Sequence, residues 1–362
     1  MRLPISVMLM ILTLIACDSA RDVDVIQEYR GNSHRTGLFE GSGPSEKPSQ
    51  LWRFLTLSVL TETPVIGGDT LFVGSTDRSV YALDVDTGKR RWRYRTLGNV
   101  RDAVAVDEQR VYAAGEDNTF YAIDRYSGEP HWQFPLDKTP HGAAAVREGL
   151  VYFGSFDDRV IALDTDTGEL VWEFQGSRSF AAGITVVEDT LYAASFDGHL
   201  YAFDAETGEK RWRVSVGRGH WLTTTPVYRE GQVFVGGWAQ YMTAVGAETG
   251  EINWTIDTES RLDHPPSVAH GLVYISGMNA LQAVDEQTGE LRWSFDERIF
   301  RSPAVTDNRL YAACENQVCT LDPISGELLW RSDPLSDTVT TITVHGDRLF
   351  VTTIDGYIYA LQ

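Results

Sequence analysis

Eight of the ten tryptophans, Trp52, Trp92, Trp132, Trp172, Trp212, Trp254, Trp293 and Trp330, follow one another roughly forty residues apart. Self-similarity on that period restricts a chain to stacked or radially repeated units. The residues around four of them repeat closely: VYALDVDTGKRRW (80–92), FYAIDRYSGEPHW (120–132), VIALDTDTGELVW (160–172) and LYAFDAETGEKRW (200–212). Looser copies occupy 242–254, 281–293 and 318–330. Each copy reads as a strand with alternating apolar positions, a turn closed by Thr-Gly or Ser-Gly, and a short strand carrying Trp four residues past the glycine. The glycine supplies the positive φ of such a hairpin. The Thr or Ser and the leading Asp supply hydrogen bonds within the turn. Two further short strands precede each copy, for example 102–106 and 110–114. Four short strands per forty residues, without helical periodicity, predict a β-propeller blade whose tryptophan is structural.

The third-strand pattern occurs eight times, the last ending at Tyr359-Ala360-Leu361-Gln362. Gln362 falls where the other copies carry their turn Asp, so the eighth blade lacks a fourth strand. Conversely, Leu51-Trp52-Arg53-Phe54 is a fourth strand with nothing before it. Pairing the two closes an eight-bladed ring and removes its exposed edges. A length of 362 residues would by itself suggest two domains, but the repeat makes residues 50–362 one all-β domain.

The repeat resembles the tryptophan-docking motif AxDxxTGxxxW of the PQQ-like propellers. Ala82-Asp84-Thr87-Gly88-Trp92, Ala162-Asp164-Thr167-Gly168-Trp172 and Ala202-Asp204-Thr207-Gly208-Trp212 match it fully. Ala122-Asp124-Ser127-Gly128-Trp132 and Ala283-Asp285-Thr288-Gly289-Trp293 match with at most Ser for Thr. Gly246 replaces Asp in the copy ending at Trp254, and Thr320 replaces Ala in the copy ending at Trp330. Arg30-Gly31-Asn32 and Arg35-Thr36-Gly37 look like the lead-in of such repeat proteins. The resemblance implies one of two classes: quinoprotein dehydrogenases holding pyrroloquinoline quinone and calcium, or cofactor-free scaffolds such as the BamB-like outer-membrane assembly lipoproteins.

The enzyme class would bring adjacent cysteines forming a disulfide against the quinone, long insertions housing a substrate funnel and, in many members, a haem domain. This chain shows none of these. Asp77, Asp117, Asp157, Asp197 and Asp355 recur at equivalent second-to-third strand turns, and one Asp per hairpin is better explained by turn chemistry than by the clustered oxygens of a calcium site. The expectation is a non-enzymatic, BamB-like binding scaffold without cofactor or metal. A quinone- and calcium-dependent dehydrogenase is the alternative.

The N-terminus reads as an address. Residues 3–16 are nearly all apolar after Arg2, as in a signal peptide, and the run is short for a membrane span. Leu14-Ile15-Ala16-Cys17 looks like a bacterial lipobox, which implies removal of residues 1–16, acylation of Cys17 and a lipidated tether over 17–49. An ordinary signal peptide that happens to contain a cysteine is the other reading. The resemblance places the protein in the bacterial cell envelope on the periplasmic side, and Asp18 favours the inner membrane by the enterobacterial sorting rule. Lipid is the sensible anchor for a chain with 51 acidic and 31 basic residues and a formal net charge of −20, which anionic headgroups and nucleic-acid backbones repel. Nucleic-acid binding is therefore not expected. Three cysteines without CxxC or CxxCH exclude covalent c-type haem and cysteine-rich metal sites.

Loops from one blade's fourth strand to the next blade's first lie on one face of a propeller, near the channel mouth. Here they carry Arg101, Lys138 with His141, Arg178, Arg218 with His220, Arg261 with His264, and Arg298 with Arg301. Two readings stand: a positive collar that binds an anionic ligand or acidic partner loop, or arginines that balance acidic neighbours. Trp221 and Trp238, the two tryptophans outside the repeat, fall on the same face with Tyr241. They either anchor a partner, expected to be an envelope protein, or pack beneath a loop. Cys314 and Cys319 flank the turn of blade seven, as a cross-hairpin disulfide or as two buried thiols.

Overall fold

The structure is a computed structural model that describes residues 26–362 apart from Arg218, Glu259 and Phe300. The leader, Cys17 and Asp18 lie outside the described residues. Eight antiparallel sheets radiate from a central channel. Blade 3 shows the pattern from channel to rim: Pro140–Arg147, Leu150–Ser155, Arg159–Asp164 and Leu170–Gln175. In blade 8, Val339–His345, Arg348–Thr353 and Tyr357–Leu361 receive Gln50–Leu55 as their outer strand, with Trp52 opposite Ala360. The ring closes as the sequence predicts.

Burial explains the strand pattern. Second and third strands are sandwiched between neighbouring blades and buried on both faces, whereas outer strands such as Leu170–Gln175 alternate with solvent. The core accordingly comprises eight apolar clusters, one between each pair of neighbouring blades. In most outer strands the register slips by one residue next to Trp, as between Ala162↔Trp172 and Leu163↔Leu170. Such a bulge re-aims a side chain, and here the Trp reaches the neighbouring blade.

Seven indoles donate from Nε1 to a carbonyl of the next blade's third-to-fourth strand turn. Trp92 donates to Arg125 O (2.9 Å) and Trp172 to Ala205 O (2.9 Å). Trp254 docks in the same way, on Glu286 O (2.9 Å), even though Gly246 replaces the turn Asp of its own copy. The acceptor belongs to the following blade, so losing that Asp does not disturb the bond. Trp330 is the exception: it is half-buried, and its Nε1 has no partner among the described residues. The expectation that all eight tryptophans dock alike is corrected at this one position.

The expected tether over 17–49 also needs correction. From Ile26 onward the chain is built into the ring as a plug of the channel. Ile26–Gln27 adds a fifth, innermost strand to blade 1. His34 O accepts from Tyr228 N of blade 5, Thr36 O from Val268 N of blade 6, and Leu38 bridges Val305 of blade 7. Arg35 is 2% exposed and donates to Tyr29 O (3.2 Å), Ala144 O (2.8 Å) and Ile184 O (3.4 Å). Arg30 donates to Ser267 Oγ (2.7 Å), and its burial pulls the guanidinium down to about 10. A polar composition is compatible with this position because the inner strands turn unpaired backbone groups toward the channel, and polar side chains satisfy them.

Candidate functional site

First-to-second and third-to-fourth strand turns form a lower face, and the interblade links with the second-to-third strand turns form an upper one. The upper face of blades 3–6 carries a continuous run of rings. His141 meets Phe156 edge-on (4.9 Å), Phe156 meets Phe196 (6.2 Å), Phe196 stacks on Trp221 (4.6 Å, 2° between planes), and Trp221 packs on Trp238 (4.6 Å). The Arg261 guanidinium caps the series 5.1 Å above the Trp238 ring. Trp221 and Trp238 remain 36% and 41% exposed, so they are a surface ridge and not packing beneath a loop.

Local hydrogen bonds hold the ridge. Trp238 N donates to Trp221 O (3.0 Å) and Leu262 N to Gly237 O (3.0 Å), which clasps the turn of blade 5 to both adjoining links. The ridge ends at a groove of about 630 Å³ whose walls include Trp238, Arg261, His264, Met278, Arg298 and Ile299. Burial and the neighbouring Arg301 and Arg30 hold the His264 imidazole down at about 3, so it is neutral at physiological pH. Tyr241 is half-buried and begins the third strand of blade 5, just after the turn that presents Trp238.

The collar residues lie on this face, but most are matched locally. Arg101 pairs with Glu116, Arg261 with Asp263 (3.0 Å), and Arg301 lies 4.0 Å from Glu62. His141 hydrogen-bonds Ala181 O (2.9 Å) with Asp102 at 3.6 Å. Burial pushes the carboxyls of Glu62 and Asp102 up, against the pull of Arg301 and His141 respectively. Lys138 and Arg178 are exposed, with no ion pair among the described residues, and Arg218 lies outside those residues. The face therefore mixes charge pairs at Arg101, Arg261 and Arg301 with the cations Lys138 and Arg178, unpaired among the described residues, instead of presenting an uninterrupted positive ring.

The sequence reading missed Phe156 and Phe196. A signal existed: they occupy the turn position filled by Thr76, Glu116 and Ile354 in other blades, and an aromatic at two successive turn tips sets blades 3 and 4 apart. The turn aspartates tie their own blade's third strand to the preceding interblade link. Asp117 accepts from Leu97 N, Gly98 N and Tyr121 OH, and Asp197 from Ser177, His199 N and Tyr201 OH. Cys314 and Cys319 form a disulfide with Cα atoms 5.9 Å apart.

This architecture and motif define a PQQ-like propeller. Residues 46–143, 122–220, 197–302 and 279–362 match the family described as outer membrane protein assembly factor BamB, and the chain belongs to that family. No curated protein matches it. Among solved structures, BamB from Moraxella catarrhalis is 16% identical with a TM-score of 0.74, covering 87% of this chain and 99% of that one. Quinohemoprotein alcohol dehydrogenase from Comamonas testosteroni is 15% identical with a TM-score of 0.80, covering 95% and 81%. The computationally designed protein Ika8 is 15% identical with a TM-score of 0.77, covering 86% and 98%. At such identity the likeness concerns the fold, which hosts unrelated functions.

No group of three His, Asp or Glu side chains among the described residues comes together as calcium would need. Among the described residues, the one group of three metal-ligating side chains within reach of one another is Glu297, Cys314 and Cys319. Both cysteines are held in the disulfide, and the plug occupies the channel, leaving a cavity of about 450 Å³ between Tyr29, Arg35 and the inner strands of blades 2 and 3.

Proposed function

We propose that this protein is a non-enzymatic scaffold of the bacterial cell envelope, anchored by lipid at Cys17, that binds a protein partner through the upper face of blades 3–6. The observation that carries this reading is the ridge Phe196–Trp221–Trp238 with Arg261 above it, beside an open groove. Two half-exposed indoles fixed on a rigid ring have little conformational entropy left to lose on association, and aromatic and Arg side chains dominate binding hot spots. Membership of the BamB family supports an envelope setting and a protein partner.

The test is crosslinking in intact envelopes from residues beside the ridge, comparing the parent with Trp221→Ala/Trp238→Ala. Loss of the adducts by at least tenfold, with unchanged thermal unfolding, is expected. Retention of the adducts would overturn the assignment of the ridge. The dehydrogenase reading has its own check. A native-state ligand at a hundredfold excess over its dissociation constant stabilises a protein by about 2.7 kcal/mol. Added pyrroloquinoline quinone and calcium should leave the melting temperature unchanged, and a shift with turnover of alcohols would make the protein an enzyme.

A further inference from the structure

The plug decides which face can meet the membrane. Ile26 lies opposite Gly67, the last residue of blade 1's inner strand before the turn at Gly68-Asp69, so the chain enters the channel from the lower face. It leaves by the same face, where Gly41 bridges Gly346 in the first-to-second strand turn of blade 8. Between these points Tyr29, Arg30, Arg35 and Phe39 occupy the channel and are buried. The route through the ring is therefore closed to residues upstream of Ile26.

Nine peptide steps separate Cys17 from Ile26 and span at most about 30 Å when fully extended. A chain leaving the lower mouth could reach the upper face only around the rim. That means crossing a four-stranded blade, about 20 Å at the spacing of paired strands, and climbing a strand and its loops, about 30 Å more. The tether falls short by about 20 Å. Lower-face carboxylates do not oppose an approach to the bilayer, because Asp69, Glu148, Asp189 and Glu230 pair with Arg91, Arg147, Arg211 and Arg229.

We propose, resting on the assignment of Cys17 as the lipid anchor, that the plug orients the ring with its lower face toward the bilayer in which it is anchored. The aromatic ridge then cannot touch that bilayer. Its occupant is a protein that approaches from the aqueous compartment or from the opposite membrane, and the exposed rings do not insert into lipid.

The experiment uses the full-length acylated protein, purified from membranes and reconstituted into vesicles containing anionic lipid and an acceptor dye at the headgroup. A donor dye is placed on Ser177→Cys, in an exposed upper link, or on Glu206→Cys, in the exposed lower turn of blade 4. Cys17 is acylated and Cys314–Cys319 bridged, so only the new thiol reacts. Energy transfer several-fold stronger from position 206 than from 177 is expected, with no transfer from either position once Cys17→Ser is added. Equal transfer, or stronger transfer from 177, with the protein still vesicle-bound through Cys17, overturns the orientation alone. Vesicle binding that survives Cys17→Ser, or no binding by the parent, overturns the anchor and the orientation together.

Discussion

Gly168 of blade 3 lies against the indole of Trp132 in blade 2: a Cβ built on Gly168 would sit 2.6 Å from Trp132 Cδ2. The same contact joins Gly88 to Trp52, Gly128 to Trp92, and Gly208 to Trp172. The repeat's glycine therefore does two things at once. It takes a positive φ, 71° at Gly168, and it leaves room for the neighbouring blade's tryptophan.

These two roles separate experimentally. Gly149 also has a positive φ, of 80°, but nothing lies within 4 Å of its missing Cβ. Gly149→Ala should cost about 1 kcal/mol for the left-handed backbone. Gly168→Ala should cost about 2–4 kcal/mol, because overpacking against the indole adds about 1–3 kcal/mol. Denaturant midpoints of the two variants measure the difference, and equal costs would remove packing from the explanation.

Trp330 differs from Trp172 and Trp254. Blade 8 takes its outer strand from Gln50–Leu55, so no third-to-fourth strand turn faces Trp330, and its Nε1 has no partner among the described residues. Trp172→Phe removes the bond to Ala205 O, leaves that carbonyl short of a donor, and should destabilise by about 1–3 kcal/mol. Trp330→Phe loses no such bond and should cost less than half as much in the same unfolding experiment.

Arg35 pins the plug to the ring. Its three carbonyl contacts bring together the plug, blade 3 and the approach to blade 4. Arg35→Ala leaves these acceptors unsatisfied around a void and should cost about 3 kcal/mol or more. Faster proteolysis near residues 26–43 should accompany the loss of stability. Arg35→Lys should not rescue it, because one ammonium cannot reproduce the fork.

His264 gives a pH dependence of defined sign. Its folded-state pKa, lowered to about 3, lies below the unfolded value of 6.5. Between these values the unfolded chain binds the extra proton, so stability falls as the pH drops below 6.5. Glu62 and Asp102, whose carboxyls are pushed up by burial, act in the opposite sense. Comparison with His264→Gln isolates the imidazole. The stability advantage of the parent over the variant should shrink by about 1.7 kcal/mol between pH 6.5 and 5. A constant difference would mean that the imidazole is solvated.

Blade number, strand order and ring closure were readable in the sequence because each rests on local signals: a period of about forty, a glycine turn, and a Trp at fixed spacing. Trp221 and Trp238 stood out for the same reason, as departures from a repeat. Other features depend on residues far apart in the chain. Arg35 meets Ala144 and Ile184, and Phe196 meets Trp221, only after the ring has closed. The polar stretch before the first blade read as a tether because nothing local shows that inner strands present unpaired backbone groups to the channel. The basic links left a collar and local charge balance both open, because spacing gives the position of a charge but not its partner. Periodicity determined the ring, whereas its filled channel and the coupling of its upper loops into one ridge arose from contacts that only tertiary closure brings together.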